Sequence, residues 1–533
     1  MNYKIIAIVL CFFSVSALTA LVDGDLDPTF GTGGFATILS ADFGGGTVYA
    51  RSIAIQQDGK IIVCVWQDAG ESGIFLVRLT TTGALDTSFN AGGGTPGIVP
   101  VTTDTTIVRA GGIVLDAQDN IIITGKQQVG PDNTFVARYI GTGGSAGTLD
   151  TTFNAGGGTP GVLDTGITTS QGIDCVVDSQ GRIVITAADI SGGANSYVAR
   201  ILADGTLDAT FGIAGVVTFT DAGYAILYPA ALKIAANGSI FLVLTGFTGG
   251  ATESILLCQF SGSDGSLIAP FNPYVPVFTA PAVYAGFQGP YTGIVMGRGL
   301  VIGSNNNLYI YGVSRLTETV TMFSVPVLSA YFGMLGITSV GALASSFAYN
   351  GQLVTGLAPA NNLLPFSTGQ TDLSNTYRTP YTGRLLQVSN NKFVTVGYDT
   401  EGIGFIARLN SNGTFDSTFS GGGTPLPGVI PTTLTNTSEQ KFYIDAATQS
   451  NGYILTAGGI GFASPNNPNS TAVLVARYFV NSSLVCPSSV EEQLNQAGGG
   501  LSCAIIKKYA TAGSSASACA CTPVPNGSGD CCS

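Results

Sequence analysis

The sequence predicts an all-β chain: a seven-bladed β-propeller of about sixty-residue repeats, followed by a small Cys-rich C-terminal tail. Three observations predict it. A short motif returns seven times, a tight-turn signal stands inside every interval, and no convincing amphipathic helix lies between them. The motif is Leu-Asp-x-x-Phe at Leu26–Phe30, Leu85–Phe89, Leu149–Phe153 and Leu207–Phe211. It returns as Phe415–Phe419 and, in decayed form, as Leu267–Phe271 and Leu343–Phe347, at intervals of 58 to 76 residues.

Each unit reads the same way from its motif onward. After the Phe comes a Gly-rich turn and a strand such as Gly215–Phe219, then a hairpin of two apolar, β-branched runs. The seven hairpin turns carry Asp58-Gly59, Asp119-Asn120, Gln180-Gly181, Asn237-Gly238, Asn306-Asn307, Asn390-Asn391 and Asn451-Gly452. Most of these residues tolerate positive φ, which points to two-residue hairpin turns. A last strand such as Phe75–Leu79 leads to the next motif. Four strands per unit, repeated seven times, give propeller blades rather than the shorter coils of a β-solenoid.

One charge pattern favours a closed ring. The last strands carry Arg78, Arg138, Arg200, Arg408 and Arg477, whereas the fourth and fifth have Gln259 and no basic residue. The motif that follows keeps an acid after the first four (Asp86, Asp150, Asp208 and Asp416) and loses it at Ile268 and Ala344. If the ends meet, Arg477 faces Asp27 and every junction is consistent. These pairs are expected to be partly buried, charge-assisted latches between consecutive units.

The Gly-x-Leu-Asp-x-x-Phe-Gly signature, the Asp58-Gly59-Lys60-Ile61 hairpin and the Arg-Leu or Arg-Tyr strand ends resemble the delta-sixty repeat, found mainly in secreted bacterial proteins. The likeness covers the seven units and is best in the first four. It implies a bacterial exported protein with a propeller-like fold, and it implies little about activity.

Composition limits the chemistry. The net charge of −12 with only 20 Lys plus Arg argues against a nucleic-acid partner, which needs clustered cations. There is no histidine, so imidazole-based nucleophilic, acid–base and zinc chemistry is out of reach. Gly-Gly-Gly-Thr-Pro at 92–96, 156–160 and 421–425 has neither the lysine nor the helix of a phosphate-binding loop. Asp23, Asp25 and Asp27 start like a calcium loop, but the closing Glu is missing and Asp27 belongs to the latch. No cofactor, resident metal or catalytic set is expected. Carboxylates gathered around a propeller axis remain the enzymatic alternative, as a hydrolase or lyase.

Specificity is expected where the repeat decays. Tyr274, Phe278, Tyr284, Phe287 and Tyr291 follow Phe271 among prolines, and such aromatic faces suit a glycan or an extended peptide. The charge-free stretch from Val320 to Tyr349 is long enough to span a membrane, yet Pro326 and its Ser and Gly residues favour two strands and a turn.

The chain therefore divides into residues 1–20 as a secretory signal (Lys4, then apolar Ile5–Phe13), 21–484 as the propeller, and 485–533 as the tail. Cys486, Cys503, Cys519, Cys521, Cys531 and Cys532 in the tail suggest disulfides, with fifteen connectivities open. They would form a small knob, link copies in a surface coat, or serve attachment. The expected role is binding or scaffolding of an extracellular glycan or protein, secreted or at the cell surface, with no membrane span after signal cleavage.

Overall fold

The computed structural model describes residues 22–480 apart from 69–72, 102–105, 129–131, 249–252, 272–290, 321–324, 345, 347–351, 355–380, 399–403, 420–427, 432–440, 450 and 463–468. It is a seven-bladed β-propeller. After β1 (Phe35–Leu39), the first blade is β2 (Thr47–Ile55), β3 (Ile61–Asp68), β4 (Gly73–Leu79) and β5 (Ile98–Pro100). The second is β6 (Thr106–Leu115), β7 (Ile121–Gln128), β8 (Asp132–Tyr139) and β9 (Val162–Thr168). The third is β10 (Ser170–Val177), β11 (Ile183–Asp189), β12 (Asn195–Ile201) and β13 (Val216–Thr220). Three described strands make the fourth: β14 (Ile226–Ile234), β15 (Ile240–Phe247) and β16 (Glu253–Phe260). The fifth is β17 (Tyr291–Ile302), β18 (Leu308–Val320), β19 (Val325–Ile337) and β20 (Gln352–Val354). The sixth is β21 (Tyr381–Gln387), β22 (Phe393–Tyr398), β23 (Gly404–Leu409) and β24 (Val429–Pro431). The seventh is β25 (Lys441–Thr448), β26 (Tyr453–Phe462), β27 (Asn469–Phe479) and, as its outer strand, β1 from the N-terminal end.

Blade position explains the residue pattern. A second strand is covered by blades on both faces, so β11 (Ile-Val-Ile-Thr-Ala-Ala-Asp) is buried along its whole length. Outer strands face water on one side, so β1 and β9 alternate. The core is accordingly a ring of interblade clusters; one joins Leu455, Val473 and Val475 of the seventh blade to Ile53, Val63 and Val65 of the first. Cys64, Cys175 and Cys258 sit inside these layers as unbridged thiols, and burial pushes Cys64 up to about 12. The apolar stretch from Val320 enters a hairpin in which Val320 lies opposite Val325, and among the described residues no helix is long and apolar enough to cross a membrane.

Two details correct the sequence reading. Six of the seven hairpin turns are three-residue loops: Gln56 N donates to Lys60 O and Gly59 N to Gln56 O, and the same pairing recurs at Asp116, Asp178, Ala235, Gly303 and Gln449. Only the third loop residue needs positive φ, as at Gly59, Asp119 and Asn306. The sequence unit is also offset from the blade. The strand after each motif pairs backward with the Arg-bearing strand, as β13 does with β12, so the motif is the corner between third and fourth strands. That offset is what leaves β1 to complete the last blade.

The motif residues act together. At each intact corner the Asp Oδ1 accepts the backbone N–H and hydroxyl of the Ser or Thr two residues on, as at Asp208 and Thr210 (3.0 and 2.6 Å). Its Oδ2 accepts Arg Nε: Arg78–Asp86 2.8 Å, Arg138–Asp150 2.7 Å, Arg200–Asp208 2.8 Å, Arg408–Asp416 2.6 Å and Arg477–Asp27 2.7 Å. A second guanidinium nitrogen reaches a carbonyl in the next blade: Gly141, Ala203, Gly262, Val480 and, across the closure, Thr81. The motif Phe lies beneath the guanidinium at 4.6–4.9 Å and is wholly buried. At the closure Asp23 adds a contact of 2.6 Å to Arg408, so the Asp-Gly-Asp-Leu-Asp run ties two blades.

Arg477→Ala is expected to lower stability by about 3–5 kcal/mol, because it strands Asp27 in a buried site. Lys60→Ala, at the exposed Asp58 pair, should cost less than about 1 kcal/mol. Urea unfolding of the two variants measures the difference, and equal losses would refute the latch. Acid gives a second readout. Burial raises the Asp416 carboxyl, but hydrogen bonds from Lys392 and Thr418 and the charge of Arg408 more than reverse that, leaving it at about 2 against an ordinary 3.8. A depressed carboxyl stabilises above its unfolded value, so this contribution should be complete above about pH 5 and fade as pH falls through about 2. Asp416→Asn, followed by unfolding across that range, should flatten the fall.

Candidate functional site

The first strands of all seven blades surround one axial cavity of about 640 Å³, the size of an ordinary small-molecule site. Every one of these strands carries a β-bulge at the same height, between Ala50 and Ser52, Ala110 and Ile113, Gly172 and Asp174, Pro229 and Ala231, Gly297 and Gly299, Thr382 and Arg384, and Tyr443 and Asp445. A bulge bends its strand and leaves one residue outside the ladder, which re-aims side chains at the rim of a barrel or ring. The crowding explains two glycines. A Cβ on Gly383 would come within 1.9 Å of Ile444 O, and one on Gly111 within 2.4 Å of Gly172 O.

Two bulges are followed by carboxylates with the same task. Asp445 Oδ2 accepts Ser52 Oγ at 2.9 Å and Ile53 N at 3.0 Å, both from the next blade, while Oδ1 accepts Ala446 N at 2.9 Å. Asp174 Oδ2 accepts Leu232 N of the next blade at 3.0 Å, and Oδ1 accepts Cys175 N at 3.0 Å. Both acids thus cap backbone N–H groups beside the bulges. Where the arginine latch is missing, Tyr311 in β18 passes over Gly299 and donates to Gly383 O of the sixth blade at 3.1 Å. Burial pushes its phenol up to about 12.

The remaining charges of the lining are positive: Arg51, Lys233, Arg298 and Arg384, from the first, fourth, fifth and sixth blades. Arg384 Nε lies 3.2 Å from Asp445 Oδ1, and that carboxylate holds its pKa above the ordinary range. Arg51, Lys233 and Arg298 have no hydrogen bond or ion pair among the described residues. Burial, then the nearby Arg384 charge, lower the Lys233 ammonium from 10.5. Tyr49, Tyr228, Phe247 and Tyr398 supply aromatic lining, with Tyr228 40% exposed.

The expected latch residues all stand at blade corners, away from this cavity. Of the aromatic segment, Tyr274, Phe278, Tyr284 and Phe287 lie outside the described residues, and Tyr291 is the first residue of β17, whose later residues line the cavity. The six tail cysteines and residues 1–20, expected to be a signal, also lie outside the described residues. Among the described residues no group of three His, Cys, Asp or Glu stands ready for a metal. The axial cations were missed by sequence reasoning; turn spacing marks the height of the ring but, of the four cations, reaches only Arg384. Counting back seven residues from each positive-φ turn residue reaches Ser52, Gly112, Asp174, Ala231, Gly299, Arg384 and Asp445, one ring around the axis.

These features define a propeller repeat protein with a polar axial site, a fold suited to binding and scaffolding. A family model described as a beta-propeller domain of unknown function (DUF5122) matches residues 56–89, 180–211 and 389–419. Each match runs from a hairpin turn to a motif Phe, at Phe89, Phe211 and Phe419. No curated protein matches the chain. Similar solved structures include a protein of unknown function from Dyadobacter fermentans, 10% identical, covering 84% of this chain and 100% of that one with a TM-score of 0.38. The β-propeller domain of Vanderwaltozyma polyspora Nup133 is 12% identical, with 80% and 94% covered and a TM-score of 0.40. A polysaccharide lyase of family PL25, an ulvan lyase, is 9% identical, with 84% and 97% covered and a TM-score of 0.41.

Asp445→Ala is expected to destabilise the protein by about 3–5 kcal/mol, since it frees the Ile53 N–H and removes the Arg384 counter-ion together. Asp445→Asn should cost less, because an amide oxygen still accepts from Ile53. Denaturant titration of both variants decides; equal losses would mean that charge, not the backbone cap, is what Asp445 supplies.

Proposed function

We propose that the chain is an exported binding or scaffold module of the delta-sixty type, acting at or outside the cell surface on a glycan or protein ligand. The observation that carries this reading is the axial cavity, which draws on all seven blades and presents polar groups that the fold leaves without partners. A scaffold that only held its own ring would have no use for unpaired cations at its most crowded point. The apolar leader after Lys4 and the cysteine-rich tail support an oxidising compartment outside the cytoplasm.

The aromatic segment belongs to the same proposal. Residues 272–290, with Tyr274, Phe278 and Tyr284, directly precede β17 in the sequence, and later residues of β17 line the cavity. Tail disulfides linking copies of the chain would add multivalency.

The test is a glycan and protein-ligand screen on the secreted protein, alongside the triple variant Tyr274→Ala, Phe278→Ala, Tyr284→Ala. The expected outcome is a ligand whose binding falls at least about tenfold in the variant while thermal unfolding is unchanged. Unchanged binding would remove the aromatic segment from the site, and retention of the chain in the cytoplasm would overturn the extracellular reading.

A further inference from the structure

The axial cavity concentrates cations in a chain that has few. The protein carries 20 Lys plus Arg and a net charge of −12. Five of those cations are consumed by the latches, each with an Asp, a hydroxyl and a carbonyl around it. Four others line one cavity against two carboxylates, Asp174 and Asp445. Both carboxylates accept backbone N–H groups through each oxygen, and of the four cations only Arg384 lies within ion-pair distance of either of them, so the lining carries four positive charges against two negative ones.

We propose that this cavity binds an acidic oligosaccharide, one bearing carboxylate or sulfate groups on successive sugars; the proposal rests on the reading of the chain as a binding module and names the ligand class of its axial site. Three observations converge on it. Arg51, Lys233 and Arg298 have no partner among the described residues, and Arg384 has one carboxylate oxygen at 3.2 Å. The four cations outnumber the two carboxylates of the lining, and like charges in excess repel, so the arrangement is relieved by an incoming anion. The four cations also stand on four different blades around the axis, so a ligand with several acid groups meets them better than a single small anion does. Guanidinium forks suit planar carboxylates and sulfates, which two or three of these side chains can grip bidentately.

The sugar part of the assignment comes from the apolar lining. Tyr228 is 40% exposed, and Phe247 and Tyr398 are half-buried on the same cavity. Such faces stack on the C–H faces of pyranose rings, and they offer a bare polyphosphate or inorganic anion nothing. A volume of about 640 Å³ accommodates a short oligosaccharide rather than a single sugar.

The test uses the secreted full-length chain and isothermal titration calorimetry with defined probes: trigalacturonate, its methyl ester, a sulfated oligosaccharide and sodium sulfate. Expected is binding of an acidic sugar that weakens with salt, and binding at least on the order of tenfold weaker for the methyl ester and for sulfate. Arg298→Gln and Lys233→Gln should each weaken the acidic sugar by on the order of tenfold, while Lys60→Gln on an exposed turn leaves it unchanged. Arg298 is exposed and unpaired, so its variant keeps the fold; unaltered thermal unfolding checks this. Failure of both acidic sugars to bind, or equal binding in the cation variants, would overturn the proposal. Sulfate ion binding as tightly as the sugars would overturn its saccharide part. Capture of a neutral glycan or a protein at another face would overturn it as well while leaving the binding-module reading intact.

Discussion

One guanidinium at each of five corners braces this ring. At an intact junction the arginine of a third strand donates to the motif Asp, to the motif Ser or Thr and to a carbonyl of the following blade, and it lies on the motif Phe. Arginine alone has enough donors in one rigid plane to serve three directions at once. The motif's composition follows from that demand. Asp is needed because one oxygen closes the local turn while the other receives Nε. Ser or Thr is needed because its hydroxyl bridges both partners, and Phe is needed as the floor. The junctions that lose the pair keep the backbone frame, with Ile268 N donating to Gln259 O and Ala344 N to Gly336 O. The corner is therefore a backbone structure that the ion pair reinforces and does not create.

At the axis the constraint changes from charge to space. Seven first strands converge, and each relieves the crowding with a bulge that frees a backbone N–H. Asp174 and Asp445 satisfy such groups across to the next blade, and glycines absorb the closest approaches. The same bulges expose Arg51 and Arg298 as the residues left out of the ladder. The device that lets the ring close thus also presents side chains to the cavity.

The fold was legible because its rules are local and repeated. Leu-Asp-x-x-Phe, the positive-φ residue and the Arg each mark a fixed point of a blade, and the joint loss of the Arg and the Asp in two units located the irregular junctions. Pairing of Arg477 with Asp27 was readable from the pattern because a ring admits no leftover partner. Turn length was misread: a lone Gly after Asp or Asn serves a three-residue loop as well as a two-residue one, and only the hydrogen-bond partner distinguishes them. The axial site was illegible for a different reason. A bulge has no residue signature of its own, and the cations occupy different offsets in different blades. Arg51 and Arg298 are bulged residues, Arg384 follows its bulge, and Lys233 lies two residues beyond the ring position.

The contrast between two sets of cations is the strongest argument for what the axis does. Latch arginines are fully provided for: each has an acid, a hydroxyl, a carbonyl and an aromatic floor. Of the axial cations only Arg384 has an acid within ion-pair distance, and burial together with the Arg384 charge lowers the Lys233 ammonium despite the two carboxylates of the lining. Selection for stability alone would replace such residues with the apolar or small ones found at the same height in other blades, such as Ala231 or Gly299. Their presence in an acidic protein, at the point where all seven blades meet, is explained by a counter-charge that arrives from outside the chain. A ligand bearing acid groups supplies it and, in binding, offsets the excess of positive charge in the cavity lining.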